Sequence, residues 1–360
     1  MRKSYLYKAH LFFGLLSGTI LVIISLSGAI MAYEPQIKKY LNKDIYEVPL
    51  LNKPKISVEK ILEDFKTKVN GEIQAVSFSN IKTSSFAVKV KIDGRKKAVT
   101  YYVNPYTLEF LGEAKAENFF RTVENIHRTL LLKEFGRQII GISSILFLIL
   151  LFSGLYVLYP RLKNRFFKNF SFSFKSKGRF FLSSIHSSLG LWFMPIYFVL
   201  IITGLTWTYP SYSKAIYNLV GLEKPARIID KLKIKRSKDT FSNLDLAIKM
   251  FNDNIKHKYQ FSFVKIPKKG TVYNFIYLDE SATQRRERNK LILDISTKQI
   301  IKHERYEKKG LNEQVMMSIL TIHTGEYFGL IGQSIMFIVC LFVPMFFVTG
   351  LLMYRKRKNK

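Results

Sequence analysis

The chain holds one cysteine, Cys340, in 360 residues. A lone thiol excludes an internal disulfide, a thiolate zinc cage and covalent haem attachment through Cys-x-x-Cys-His. Neither a Gly-x-Gly-x-x-Gly run nor a P-loop occurs, so no nicotinamide, FAD or ATP fingerprint is present. Acid is scarce as well: 26 acidic side chains face 57 basic ones, for a net charge of +31. Yet 48% of the residues are hydrophobic and 14% aromatic. Apolar content that high beside so much charge requires the two to be segregated along the chain, which excludes a simple soluble domain.

Four apolar runs, 11–32, 139–159, 187–208 and 328–354, are separated by lysine-rich polar stretches. Each has about the ~20 residues that a helix needs to cross ~30 Å of hydrocarbon. The first could also be a signal peptide, but its apolar core is long and no small-x-small cleavage site follows, which favours a retained anchor. Residues 1–9, 160–185 and 355–360 together carry 15 Lys and Arg and no acid. By the positive-inside rule these segments face the cytoplasm, and the polar segments 34–120 and 210–318 lie outside. Topology thus explains much of the basic excess without a nucleic-acid partner; the lipid bilayer is the expected one. What charge remains suits anionic substrates or headgroups, or reflects general lysine richness.

The chain resembles itself. His10-x-x-x-Gly14, Ser27-Gly28 and Tyr33 recur at equal offsets as His186-x-x-x-Gly190, Thr203-Gly204 and Tyr209. Ile126-His127, Gly136 and Ser153-Gly154-Leu155 recur as Ile322-His323, Gly332 and Thr349-Gly350-Leu351. The expected unit is helix, outer domain, helix, used twice in parallel about a pseudo-two-fold axis along the membrane normal. The expected organisation is 1–33 with the first span, an outer domain 34–120, a second span within 121–159, a basic loop 160–185, a third span 186–209, an outer domain 210–318, a fourth span within 319–354 and the tail 355–360. Gly28, Gly154, Gly204 and Gly350 suit close helix approach. Each outer segment reads as a small α+β domain. Ser57 caps a helix with Val58, Ile61, Leu62, Phe65 and Val69 on one face, and strands follow near 73–78, 86–92, 98–103 and 108–111. The second segment repeats this order with a helix at 244–251 and strands near 261–266, 272–278, 291–295 and 300–303.

Only six histidines occur, and His10, His186, His127 and His323 stand at matched positions near span ends. Neutral imidazole ligates haem iron, and two facing imidazoles saturate it. A pseudo-two-fold would bring His10 to His186 and His127 to His323, predicting two bis-histidine b-type haems, one towards each face. The competing reading is duplicated interfacial anchors or helix caps. A continuous helix from His127 to Tyr159 would run ~48 Å at ~1.5 Å per residue, so either the outer site lies at the membrane surface or a bend near Gly136 folds the segment back. Arg128, with Arg121 and Arg137, could pair with haem propionates or with headgroups. Glu326 could orient a ligand or simply start a helix. Trp207, Tyr209 and Tyr33 could bridge two distant haems or form an aromatic belt. His257 and His303 have no matched partners and read as surface residues.

These residues, above all His10/Gly14, Ile126-His127-Arg128, Ile185-His186/Gly190 and Ile322-His323-Thr324-Gly325-Glu326, resemble the PepSY-associated transmembrane family of bacterial inner-membrane proteins. The resemblance covers nearly the whole chain. It implies a four-span α-helical membrane bundle with two extracytoplasmic α+β PepSY-like domains and both termini cytoplasmic. It also implies a link with iron uptake and, for some members, haem-containing reduction of ferric siderophores. The expected function is transmembrane electron transfer from a cytoplasmic or quinol donor to an external ferric siderophore or other chelate. A non-enzymatic membrane module whose outer domains bind a secreted partner is the alternative. A permease is least supported, because few charges fall within the apolar runs.

Overall fold

The computed structural model describes residues 2–95, 97–172, 174–223, 241–267 and 270–358. Part of the second outer segment, 224–240, and the tail residues 359 and 360 therefore lie outside the described residues. The described chain forms two compact units.

The first unit is a helical bundle that comprises Met1–Glu34, Asn118–Lys224 and Ile319–Lys360. Four of its helices are long and apolar enough to cross a membrane. They are α1 (Arg2–Ala32), α6 (Lys133–Asn164), α7 (Gly178–Thr208) and α12 (Gly329–Lys358). Helices α1 and α7 each pack on both α6 and α12. Tyr197 of α7, Leu21 of α1 and Val339 and Val343 of α12 form the centre of the packing.

The second and fourth apolar runs are not entered by straight helices. A separate helix, α5 (Glu117–Thr129), carries His127 and ends before α6 begins. Between them the chain reverses through Leu130, Leu131 and Lys133, all with positive φ (49°, 62° and 53°). The same reversal precedes α12. A one-turn α11 (Ile319–Thr324) carries His323, and Gly325 and Gly329 then turn with φ of 79° and 63°. Of the two ways to accommodate ~48 Å of helix, the chain folds back. This reversal explains Gly136 and Gly332. A Cβ on Gly136 would stand 1.8 Å from the Thr129 carbonyl oxygen, and one on Gly332 would stand 2.3 Å from that of Gly325. Only a residue without a side chain lets the two helices meet so closely.

The sequence expects two separate outer domains. The second unit instead joins both segments, Pro35–Glu117 and Pro225–Ser318, while 210–224 goes with the bundle. There α8 (Pro210–Leu219) starts on a proline, whose missing N–H a helix start does not need. After α2 (Glu34–Leu41) and α3 (Lys43–Tyr46), the first segment supplies α4 (Val58–Lys68) and strands β1 (Glu72–Phe78), β2 (Phe86–Lys91), β3 (Val99–Val103) and β4 (Phe110–Glu113). The second supplies α9 (Phe241–Asn254), β5 (Tyr259–Lys265), β6 (Val272–Asp279), β7 (Arg288–Asp294) and β8 (Gln299–Glu304), followed by α10 (Leu311–Met317). The strands form one eight-stranded sheet in the order β4-β3-β2-β1-β5-β6-β7-β8. Its halves join antiparallel through β1 and β5, with Val76 opposite Val264 and Phe78 opposite Ser262. A four-stranded sheet alone would leave β1 or β5 as an open edge, and pairing the two removes both edges. It also merges two small cores. Phe65 of α4 and Phe251 of α9 belong to the same buried cluster as Val88, Phe275 and Leu293.

Matched local chemistry marks the halves. Asn104 Oδ1 accepts from the Tyr106 amide and Asp294 Oδ1 from the Ser296 amide, each at 2.9 Å. Four residues after each of these side chains, Leu108 and Lys298 turn with φ of 63° and 53°. As expected, Ser57 caps α4, accepting from the Lys60 amide.

Candidate functional site

The bundle brings the four matched histidines together in two pairs. His10 of α1 and His186 of α7 have ring centres 6.4 Å apart with planes at 72°. His127 of α5 and His323 of α11 have ring centres 6.3 Å apart with planes at 69°. Two imidazoles that ligate one metal from opposite sides, each nitrogen about 2 Å from it, have ring centres about 6 Å apart. Both pairs stand at that separation.

Which nitrogen of each ring is free follows from its hydrogen bonds. Ser153, Thr349 and Thr203 accept from Nδ1 of His10, His186 and His323 at 2.9, 2.8 and 2.8 Å. Each hydroxyl also lies within donating distance of a carbonyl one turn back on its own helix: Ser153 3.2 Å from Leu150, Thr349 2.8 Å from Met345 and Thr203 2.6 Å from Val199. A hydroxyl that donates there accepts from the ring, and this arrangement puts the ring proton on Nδ1. His127 Nδ1 lies 2.9 Å from the Ile24 carbonyl, which has no proton to give, and 3.2 Å from Ser27 Oγ, whose own proton goes to Ile23. In all four rings the Nε2 lone pair remains, the tautomer that suits metal ligation with the second nitrogen anchored.

The glycines beside these hydroxyls make room for the rings. A Cβ on Gly154, Gly28 or Gly204 would lie 3.2, 3.1 or 3.5 Å from Cε1 of His10, His127 or His323. At Gly350 the equivalent space is open. The Ser/Thr-Gly pairs thus seat and orient imidazoles. The sequence reading gave those glycines to helix packing and assigned the hydroxyls no role, although their recurrence at fixed offsets was the available signal.

His10 and His186 line a cavity of about 430 Å³ with Gly14, Gly18, Gly190 and Phe346. Its walls are mostly apolar, and its polar exceptions include Arg161 and Arg179. Both arginines are exposed, and neither has a carboxylate partner among the described residues. Two imidazoles, glycine-lined apolar walls and two guanidiniums are groups that could hold a flat, apolar, dicarboxylate-bearing metal macrocycle. No cluster of three or more His, Cys, Asp or Glu that could hold a metal ion occurs among the described residues.

Around the other pair, Trp207 packs edge-on to His323, with ring centres 5.4 Å apart. Arg128 forms a 2.8 Å ion pair with Glu124, and Arg137 pairs with Glu134 at 2.6 Å. Tyr33 bonds to Ser334 at 2.6 Å and packs on Phe337. Tyr209 presses on Gly141, the position matched to Phe337. Both tyrosines therefore serve as helix-end packing. Glu326 begins a single 3-10 turn after Gly325. In the sheet unit, His257 lies 2.5 Å from Asp279 and His303 lies 2.7 Å from the Tyr277 hydroxyl.

The family model described as the PepSY-associated TM region matches residues 7–357, and the chain belongs to that family. It is a multi-pass membrane protein by that membership and by its four apolar helices. No curated protein matches it.

Proposed function

We propose that this PepSY-associated membrane protein holds haem between its histidine pairs and carries electrons across the membrane to an external ferric chelate, such as a ferric siderophore. The observation that carries the reading is the two pairs of imidazoles, with ring centres 6.4 and 6.3 Å apart and each Nδ1 hydrogen-bonded. Haem b bound there would supply reversible one-electron exchange.

The chain's own residues would do the rest. His10 and His186 would hold the haem at one site, and Ser153 and Thr349 would keep those rings oriented. Arg161 and Arg179 would pair with its propionates at the mouth of the cavity, whereas the sequence offered Arg128 near the other site for propionates or for headgroups. His127 and His323 fix the second site through Ser27, Ile24 and Thr203. His127 reaches α1 at Ile24, 14 residues beyond His10, about 21 Å along a helix. The fold-back of α5 thus draws the second site inside the bundle, shortening the gap that a straight helix would leave.

The basic residues of 1–9, 160–185 and 355–360 support a cytoplasmic position for the His10/His186 end and both termini in a bacterial inner membrane. A cytoplasmic reductant or quinol gives up one electron there, and ferric iron in the chelate becomes ferrous on the opposite side. The matched contacts in both halves fit a duplicated helix–domain–helix unit. A non-enzymatic module that binds a secreted partner has no use for four anchored imidazoles.

The test is a visible spectrum of the purified protein, oxidised and dithionite-reduced. A Soret band and a sharp reduced α-band are expected. Colourless protein from haem-replete cells would overturn the reading.

A further inference from the structure

The sheet unit holds a second cavity of about 860 Å³, lined by residues 51–58, by the β1–β2 connection and by one side of α9. Its ionisable lining is unbalanced. Lys53, Lys55, Lys82, Lys249 and Lys256 are present, against Asp245 and Asp253. Asp245 is already engaged, accepting the Val58 amide at 2.9 Å at the start of α4.

Lys55 differs from the four exposed lysines around it. It is half-buried, and its Nζ donates to the Ser79 and Ile81 carbonyls, both at 2.9 Å. An ammonium has three donors, and two are thereby used. Among the described residues no carboxylate pairs with it. A cation drawn partly out of water without a counter-charge carries a desolvation cost that carbonyl dipoles offset only in part. That burial lowers its pKa from 10.5 to about 8. The remedy available to such a group is an anion from solution. The four lysines on the same walls raise the local concentration of anions around it.

We propose that this cavity binds a small polyanion, a molecule carrying two or more carboxylate or phosphate oxygens, with Lys55 as its central contact and Lys249 of α9 and Lys256, just beyond the end of α9, closing from the side. Its volume suits a ligand of metabolite or small-chelate size. The site belongs to the sheet unit alone and does not depend on what the histidine pairs hold.

The experiment is calorimetric titration of the full-length protein in detergent at pH 7 and low salt. Citrate and pyrophosphate are the probes, and chloride at matched ionic strength is the control. Saturable one-site binding of at least one probe is expected, and which one binds separates carboxylate from phosphate. Lys55→Gln should weaken that binding tenfold or more. The exposed Lys249→Ser should weaken it several-fold, which keeps the test informative if the Lys55 variant folds poorly. Lys89→Ser, on β2 and not among the lining residues, should leave it unchanged. No saturable heat from either probe would overturn the proposal. Equal weakening in Lys89→Ser and Lys249→Ser would do the same, by showing only diffuse surface charge.

Discussion

His10 and Ser153 lie 143 positions apart and are joined by a 2.9 Å hydrogen bond, and His186 and Thr349 make the same bond at 2.8 Å. In each case the hydroxyl stands on a different span from the histidine and reaches a carbonyl three or four residues back on its own helix, so the later span orients the histidine of the earlier one. A hydroxyl committed to its own helix is a fixed acceptor, and a fixed acceptor sets one tautomer.

Removing that acceptor should loosen the ring without removing the ligand. Ser153→Ala and Thr349→Val are each expected to weaken haem retention by about 10- to 100-fold, the usual loss when a ligand's outer partner goes. Haem loss to a competing apoprotein measures it. Retention equal to wild type in both variants would leave the hydroxyls with packing alone.

The two histidine pairs should be spectrally separable. His10→Ala and His186→Ala are expected to abolish one low-spin component in electron paramagnetic resonance, and His127→Ala and His323→Ala the other. A variant that removes both components, or a histidine whose loss changes neither, contradicts this pairing.

Arg161→Gln with Arg179→Gln should lower the reduction potential of one component while the other keeps its own, because two nearby positive charges favour the more negative state of a carboxylate-bearing cofactor. Potentiometric titration monitored in the visible range reads both at once. An unchanged pair of potentials removes the arginines from the rim.

Gly136→Ala forces a methyl into the Thr129 carbonyl, 1.8 Å from the added carbon, so α5 must move. A destabilisation of about 1–3 kcal/mol is expected from such overpacking, with selective loss of the His127/His323 component. Chemical unfolding together with the spectrum tests this; loss of the His10/His186 component instead would place the strain elsewhere.

Lys55 gives the sheet unit a pH dependence of definite sign. Its folded pKa of about 8 lies below the ordinary 10.5, so unfolding takes up a proton between those values. Its contribution therefore rises with pH across the window from about 8 to 10.5. Urea unfolding of wild type and Lys55→Gln at pH 7.5 and 10.5 isolates it. Wild type should gain relative to the variant at the higher pH, and a constant difference would show that Lys55 is not desolvated.

The sequence by itself determined the local elements and their pairing in kind. Span count follows from apolar length, strands from alternation between turn residues, and the α4 cap from Ser57 ahead of an amphipathic run. The matched offsets of His10 with His186 and of His127 with His323 correctly indicated which imidazoles meet. Tertiary structure decided what depends on contacts between distant segments. Gly136 signalled a bend before the second span, but the reversal through Leu130, Leu131 and Lys133 was not legible, since leucine and lysine in the left-handed conformation carry no turn signal. The union of two outer segments into one sheet rests on β1 meeting β5, and strand alternation does not say which edge finds which. The hydroxyl acceptors and the Arg161/Arg179 rim likewise became visible only once helices distant in the chain stood side by side, because a hydrogen bond's direction and a cavity's wall are properties of neighbours in space.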